Sequence, residues 1–125
     1  MNFKENKSIY LQIAERLCDE ILQGKYTEEE RMPSVREYAA LMEVTVNTAL
    51  RSFDYLQSQD IIYNKRGLGY FVAQGARNKI LGSRRKAFLN EEVYEFIHQL
   101  RTLDVPIERI VEIYNDLEKQ QSDKQ

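Results

Sequence analysis

Thr45, Asn47, Thr48 and Arg51 are spaced so that they could read the edges of base pairs. On a helix capped by Thr45 they fall in the first two turns, the end that would enter a groove. Asparagine can pair bidentately with adenine. Arginine can do so with guanine or hold a phosphate, and threonine hydroxyls suit phosphate oxygens. Lys65 and Arg66, beside Gly67, add cations that would track a duplex backbone or enter its minor groove. Each residue also has a plainer use: Ser34 and Thr45 would cap helices in any protein, and an exposed Asn47 or Arg51 is usually just a solvated helix face. Their convergence on one surface is what points to DNA.

Catalysis lacks the groups it would need. The 125 residues hold one histidine and one cysteine. There is no glycine-rich phosphate loop and no carboxylate pair placed in a defined cleft, so no enzyme is expected. Cys18 keeps helical spacing with Ala14 and Ile21 and reads as a small buried hydrophobe. A lone cysteine excludes an internal disulfide. His98, on a helix with Glu95 and Arg101, reads as a surface residue rather than a metal ligand. Neither a metal nor a cofactor is expected.

The donors need a scaffold, and the periodicities supply one. Ser34 followed three residues later by Glu37 is a capping-box pattern. Val35, Tyr38, Ala39 and Met42 then form an apolar stripe. The pattern breaks at Glu43-Val44 and restarts at Thr45, with Ala49, Phe53 and Leu56, and Leu50 beside them, on the buried face. Two capped helices joined by so short a turn outline a helix-turn-helix. Upstream, Ile9, Ile13, Leu17 and Ile21, widened by Tyr10, Ala14, Cys18 and Leu22, predict a first helix closed by Gly24. Residues 1–7 ahead of it are expected to fray, and a charged loop from Tyr26 to Arg31 follows it. Ile61-Ile62-Tyr63 and Tyr70-Phe71-Val72 flank a glycine-bearing basic tip and predict a hairpin. Helix, turn, helix and basic hairpin make a winged helix.

In the order of these residues the chain resembles the GntR family of bacterial transcription regulators. The matching pieces are Pro33-Ser34, Arg36-Glu37, Val44-Thr45, Asn47-Thr48, Leu56, Arg66-Gly67, Gly69 and Phe71-Val72, spread over residues 8–72. The resemblance implies a DNA-binding domain over residues 1–75, with Ser34, Arg36, Thr45, Val46, Asn47, Thr48, Arg51, Lys65, Arg66 and Gly67 at the interface. Arg36 is a DNA contact by resemblance, and amides at its helix start would assist by binding a phosphate. Some positions depart from the pattern. Many relatives carry arginine where this chain has Val46, so a base contact is lost or replaced by an apolar touch on a thymine methyl. Glu43 and Asp60 stand where glycines are common, and aspartate tolerates the left-handed conformation better than glutamate does.

Residues 76–125 form a helical region. Leu89, Val93, Phe96, Ile97, Leu100 and Leu103 pattern a stretch from about Arg77 to Leu103. Asn90 could cap a fresh helix within it, so one helix or two remains open. Asp104-Val105-Pro106 breaks the pattern, and Pro106 suits a helix start. The last helix carries Ile107, Ile110, Val111, Tyr114 and Leu117 and is expected to fray after Lys119. So short a tail is similar to that of the YtrA-like subfamily. The expected fold is therefore mainly α with a small β-hairpin wing: a winged helix-turn-helix followed by a C-terminal helical hairpin. Three roles for the tail are open: a cap on the first domain, a homodimer interface, or a pocket for a small-molecule effector. Dimerisation through Phe88, Val93, Phe96, Ile97, Leu100, Ile110 and Tyr114 is favoured, because so small a hairpin has few other ways to bury them. Palindromic DNA also rewards two-fold symmetry.

The net charge of −2 argues against an indiscriminate nucleic-acid binder but not against a local basic cluster. The acidic run Glu28-Glu29-Glu30 must then point away from the duplex. Neither a signal peptide nor an apolar run of membrane length is visible, so a cytoplasmic location with no membrane partner is expected. The reading is a homodimeric, sequence-specific transcription regulator, a repressor binding double-stranded DNA at an inverted-repeat operator. Resemblance implies control of a nearby operon, often one encoding a transporter. The rival is a winged helix that binds protein, for which Arg36, Arg51 and Arg66 would be dispensable.

Overall fold

The computed structural model describes residues 7–123; of residues 1–7, expected to fray, 1–6 lie outside the described residues. The chain divides into two compact units, residues 1–83 and 84–125. The first is a winged helix-turn-helix. Helix α1 (Ile9–Leu22) buries Ile13, Ala14, Leu17, Cys18 and Ile21. Ile9, expected on the same stripe, is instead exposed, because the first residue of the helix precedes its packed part. At the other end Gly24 takes φ 84°. The amide of Lys25 then donates to Glu20 O at 2.9 Å, closing the helix with a Schellman motif.

Helix α2 (Val35–Met42) starts with the expected capping box. Ser34 Oγ accepts from the Glu37 amide at 3.1 Å, and Glu37 Oε1 accepts from the Ser34 amide at 3.5 Å. Helix α3 (Val46–Ser58) is capped by Thr45 and buries Ala49, Ser52, Phe53 and Leu56. Leu50 corrects the sequence reading: it is 39 % exposed, since it lies about 100° around the helix from Ala49. The two positions that lack the familiar glycine adopt left-handed backbone all the same, Glu43 at φ 56° and Asp60 at φ 59°.

Strands β1 (Ile62–Lys65) and β2 (Gly69–Val72) pair antiparallel, with Ile62 opposite Val72 and Lys65 opposite Gly69. The stretch read as a charged loop does more than connect. Arg31 bridges to Phe71, the Glu29 amide donates to Val72 O at 2.7 Å and the Met32 amide to Tyr70 O at 2.9 Å. Those bonds add a short third rung to the wing. Leu17, Tyr38, Phe53, Leu56, Ile62 and Val72 fill the core beneath, where Phe53 meets Tyr38 and Tyr70 edge-on.

Among the described residues one charged side chain sits inside. Glu20 of α1 is only 7 % exposed and accepts from the Tyr38 hydroxyl at 2.5 Å, while Lys25 Nζ holds its other oxygen at 3.0 Å. Burial first, and this bond second, keep the Tyr38 hydroxyl protonated far above the usual tyrosine range. Helix α4 (Ala76–Ala87) returns to the core with Ala76 and Ile80. Arg77 Nη1 donates to Leu22 O at 2.5 Å and Lys79 Nζ to Asp60 O at 3.1 Å, satisfying carbonyls at the end of α1 and just past α3.

The second unit contains a π-helical turn (Phe88–Glu92), helix α5 (Val93–Thr102) and helix α6 (Ile107–Asp123). Asn90, weighed as a cap, lies inside the π-helical turn and caps nothing. Asp104 at φ 55° turns the chain before Pro106. Fraying after Lys119 is a second correction, because α6 continues to Asp123. No helix among the described residues is long and apolar enough to cross a membrane.

Candidate nucleic-acid interface

The start of α3 is built by its cap. Thr45 is extended, at φ −69° and ψ 154°, and its Oγ1 accepts from the Thr48 amide at 3.2 Å. The two threonine hydroxyls lie 2.9 Å apart, so one can donate to the other. Val46 is 39 % exposed, which suits an apolar contact at a methyl. Since Ala49, Phe53 and Leu56 face inward, helical geometry turns Asn47 and Arg51, four residues apart, to the opposite side. That row continues to Asp54, whose charge a phosphate would reject, so the groove-facing stretch ends at Arg51.

Arg51 does not hang free. Its guanidinium carbon stands 4.2 Å from the centroid of the Tyr10 ring, and Tyr10 meets Tyr55 edge-on at 6.4 Å. The buried Ser52 hydroxyl donates to Tyr10 O at 2.7 Å, tying the start of α1 to the middle of α3. Sequence reasoning placed Tyr10 on the apolar stripe of α1 and not beside Arg51. An aromatic near the start of one helix and an arginine on another carry no local signal of contact.

Arg36 is exposed on the first turn of α2, just behind the Ser34 capping box. Lys65, Arg66 and Gly67 are exposed at the wing, where Gly67 takes φ 79° and Gly69 φ 103°. Lys65 Nζ lies 5.0 Å from the Phe71 ring, and Phe71 stacks on Tyr63 at 5.8 Å. The Tyr63 hydroxyl donates to Glu29 Oε2 at 2.7 Å, a bond that raises the Tyr63 pKa. Leu68, also exposed at the tip, was passed over in the sequence reading. The acidic run is occupied locally, with Glu30 accepting from the Thr27 amide and hydroxyl, each at 2.8 Å. Those two bonds hold its carboxyl below the usual range.

A capped helix with polar groups on its outer row is followed here by a cation-tipped wing. Residues 9–72 match the sequence model described as bacterial regulatory proteins, gntR family. The chain belongs to the GntR family. As a member it is a DNA-binding transcription regulator and not an enzyme. A crystal structure of a GntR-family protein from Bacteroides thetaiotaomicron superposes with a TM-score of 0.83 at 54 % identity, covering 90 % of this chain and 99 % of that one. YhcF of Bacillus subtilis, described as an uncharacterized HTH-type transcriptional regulator, is 29 % identical over 88 % of this chain and 89 % of its own length. The HTH-type transcriptional repressor YtrA of the same organism is 24 % identical over 87 % of this chain and 83 % of its own. These likenesses extend well past the wing, so this GntR regulator shares the short helical tail as well.

That tail, taken by itself, leaves much apolar surface uncovered. Phe88, Phe96 and Tyr114 are exposed, Val93, Ile97 and Ile110 are half-buried, and Leu100 is buried. Leu103, Ile107, Val111 and Leu117 add to the exposed set. His98 is exposed, and no group of three or more His, Cys, Asp or Glu among the described residues is placed to hold a metal. Cys18 is buried, in keeping with its sequence reading.

Proposed function

We propose that this GntR regulator is a homodimeric repressor that binds an inverted-repeat operator through its two winged helices. The observation that carries the reading is the outward row of α3, where Asn47 and an Arg51 seated on Tyr10 follow the Thr45 cap. In this reading Asn47, Arg51 and Val46 touch bases, while Thr45, Thr48, Ser34 and Arg36 hold phosphates. Lys65, Arg66 and the Gly67 backbone take the flanking groove or backbone. Dimerisation is supported by the uncovered apolar side chains of the second unit, which a second copy would bury and which two half-sites would reward. Likeness to a protein named as a repressor supports repression. A cytoplasmic location follows from such a role.

The test is fluorescence anisotropy on the DNA upstream of the gene against a scrambled duplex, at several salt concentrations. A preference of ~10³-fold or more with a steep salt slope is the expected result. Equal, weak binding to both duplexes would refute operator recognition by the free protein.

A further inference from the structure

The wing carries a cation that its hairpin does not supply. Arg31 bridges to Phe71, and directly paired residues project to the same side of a sheet. Phe71 pairs with Tyr63 and Gly69 with Lys65. By the alternation of side chains, Arg31, Tyr63, Lys65 and Phe71 therefore share the face opposite the buried Ile62 and Val72. Gly69 contributes no side chain to that face, and the Arg31 guanidinium lies over the gap. A methyl group placed on Gly69 would meet Arg31 Nε at 3.5 Å and Nη2 at 3.7 Å. Arg31 thus reaches across β2 toward the position paired with Lys65, whose ammonium sits over Phe71.

Among the described residues neither cation of this pair is ion-paired. Of the acids beside Arg31 in sequence, Glu30 accepts from Thr27 and Glu29, on the side of Tyr63, accepts from the Tyr63 hydroxyl. Neither acid forms an ion pair with Arg31 or Lys65. Two like charges drawn toward one another without an ion-paired carboxylate repel, and an anion between them removes the cost. A flat guanidinium with free donors and a mobile ammonium also differ usefully, since one forks onto a phosphate while the other acts as a point charge.

We propose that Arg31 and Lys65 together seat a backbone phosphate of double-stranded DNA on the outer face of the wing sheet. The proposal rests on the DNA-binding reading above and adds a contact from outside both the helix-turn-helix and the hairpin. The experiment uses the intact chain and a random-sequence duplex, because a phosphate contact is indifferent to sequence. Association is measured across a salt series for the natural chain and for Arg31→Gln, Arg31→Lys and the remote charge control Lys119→Gln, with a thermal melt of each. Arg31→Gln should flatten the log–log salt dependence by about 0.9 per bound protomer, a loss of about fivefold at 0.15 M salt. Arg31→Lys and Lys119→Gln should keep the natural slope.

An unchanged slope for a folded Arg31→Gln would overturn the seat, as would an equal flattening by Lys119→Gln, which would reduce the effect to net charge. If Arg31→Gln unfolds, the lysine introduced by Arg31→Lys supplies the second readout. Bound duplex should shield it from acetylation, and full reactivity in the complex would overturn the proposal. Absence of salt-dependent binding by the natural chain would instead overturn the DNA-binding reading itself, and this proposal with it.

Discussion

Tyr38→Phe removes one oxygen from the middle of the DNA-binding unit, and its cost follows from what that oxygen touches. Tyr38 is fully buried and donates at 2.5 Å to Glu20, a carboxylate that is itself nearly buried. Without the hydroxyl, Glu20 Oε1 loses its donor, while the exposed Lys25 still holds the other oxygen. A hydrogen bond to a charged buried acceptor is worth about 1.5–3 kcal/mol. With Lys25 in place, a loss of about 2 kcal/mol is expected, or roughly 8–16 °C in the melting of a unit this size. Far-UV circular dichroism on heating reads it. In a Glu20→Met background the same substitution should cost under about 0.5 kcal/mol, because no carboxylate is then stranded. Equal costs in both backgrounds would refute the reasoning. The pH dependence has a definite sign. A tyrosine whose folded pKa is raised contributes its full stability below the unfolded value near 10 and loses it as pH rises further. The gap between the natural chain and Tyr38→Phe should therefore stay constant to about pH 10 and narrow above it.

Arg51→Ala should cost about 1–3 kcal/mol on the operator and much less on a scrambled duplex, as titrations of both would show; equal losses would remove it from base reading. Tyr10→Leu should weaken operator binding about two- to fivefold by unseating Arg51, whereas Tyr10→Phe keeps the ring and should bind normally. Phe96→Asp places a charge on the exposed face of α5, so sedimentation should show monomers and operator affinity should fall; an unchanged dimer would exclude that face. Glu43→Gly relieves a left-handed glutamate and should raise stability by about 1 kcal/mol in a thermal melt.

Local signals carried most of the fold. The α2 capping box needs only Ser34 and Glu37, and the α3 cap only Thr45 and the amide three residues on, so both helix starts were legible. The turns at Glu43 and Asp60 were legible because the missing glycines marked where left-handed backbone had to be. Groups whose role depends on a partner far along the chain were not. Glu20 looks like any surface acid until Tyr38, eighteen residues on, is folded against it. Arg31 follows three glutamates and reads as part of a solvated loop, since a bridge to Phe71 leaves no alternating pattern in so short a segment. The π-helical turn was hidden for another reason: a wider turn changes the pitch without requiring a distinctive residue, and Asn90 offered a false cap. At the candidate interface the donors of α3 could be read from spacing, but the Tyr10 ring that seats Arg51 could not.

The two bonds from the first turn of α4 bear on how such regulators can be cut and rejoined. The stretch matching the family ends at residue 72, yet Arg77 closes the end of α1, Lys79 closes the chain behind α3, and Ala76 and Ile80 complete the core. A fragment severed at the wing would expose two helix ends and an apolar hole. The natural joint lies nearer Ser83, where the first compact unit ends. A tail transplanted from another regulator would have to be spliced there, carrying the recipient's own α4 anchor intact.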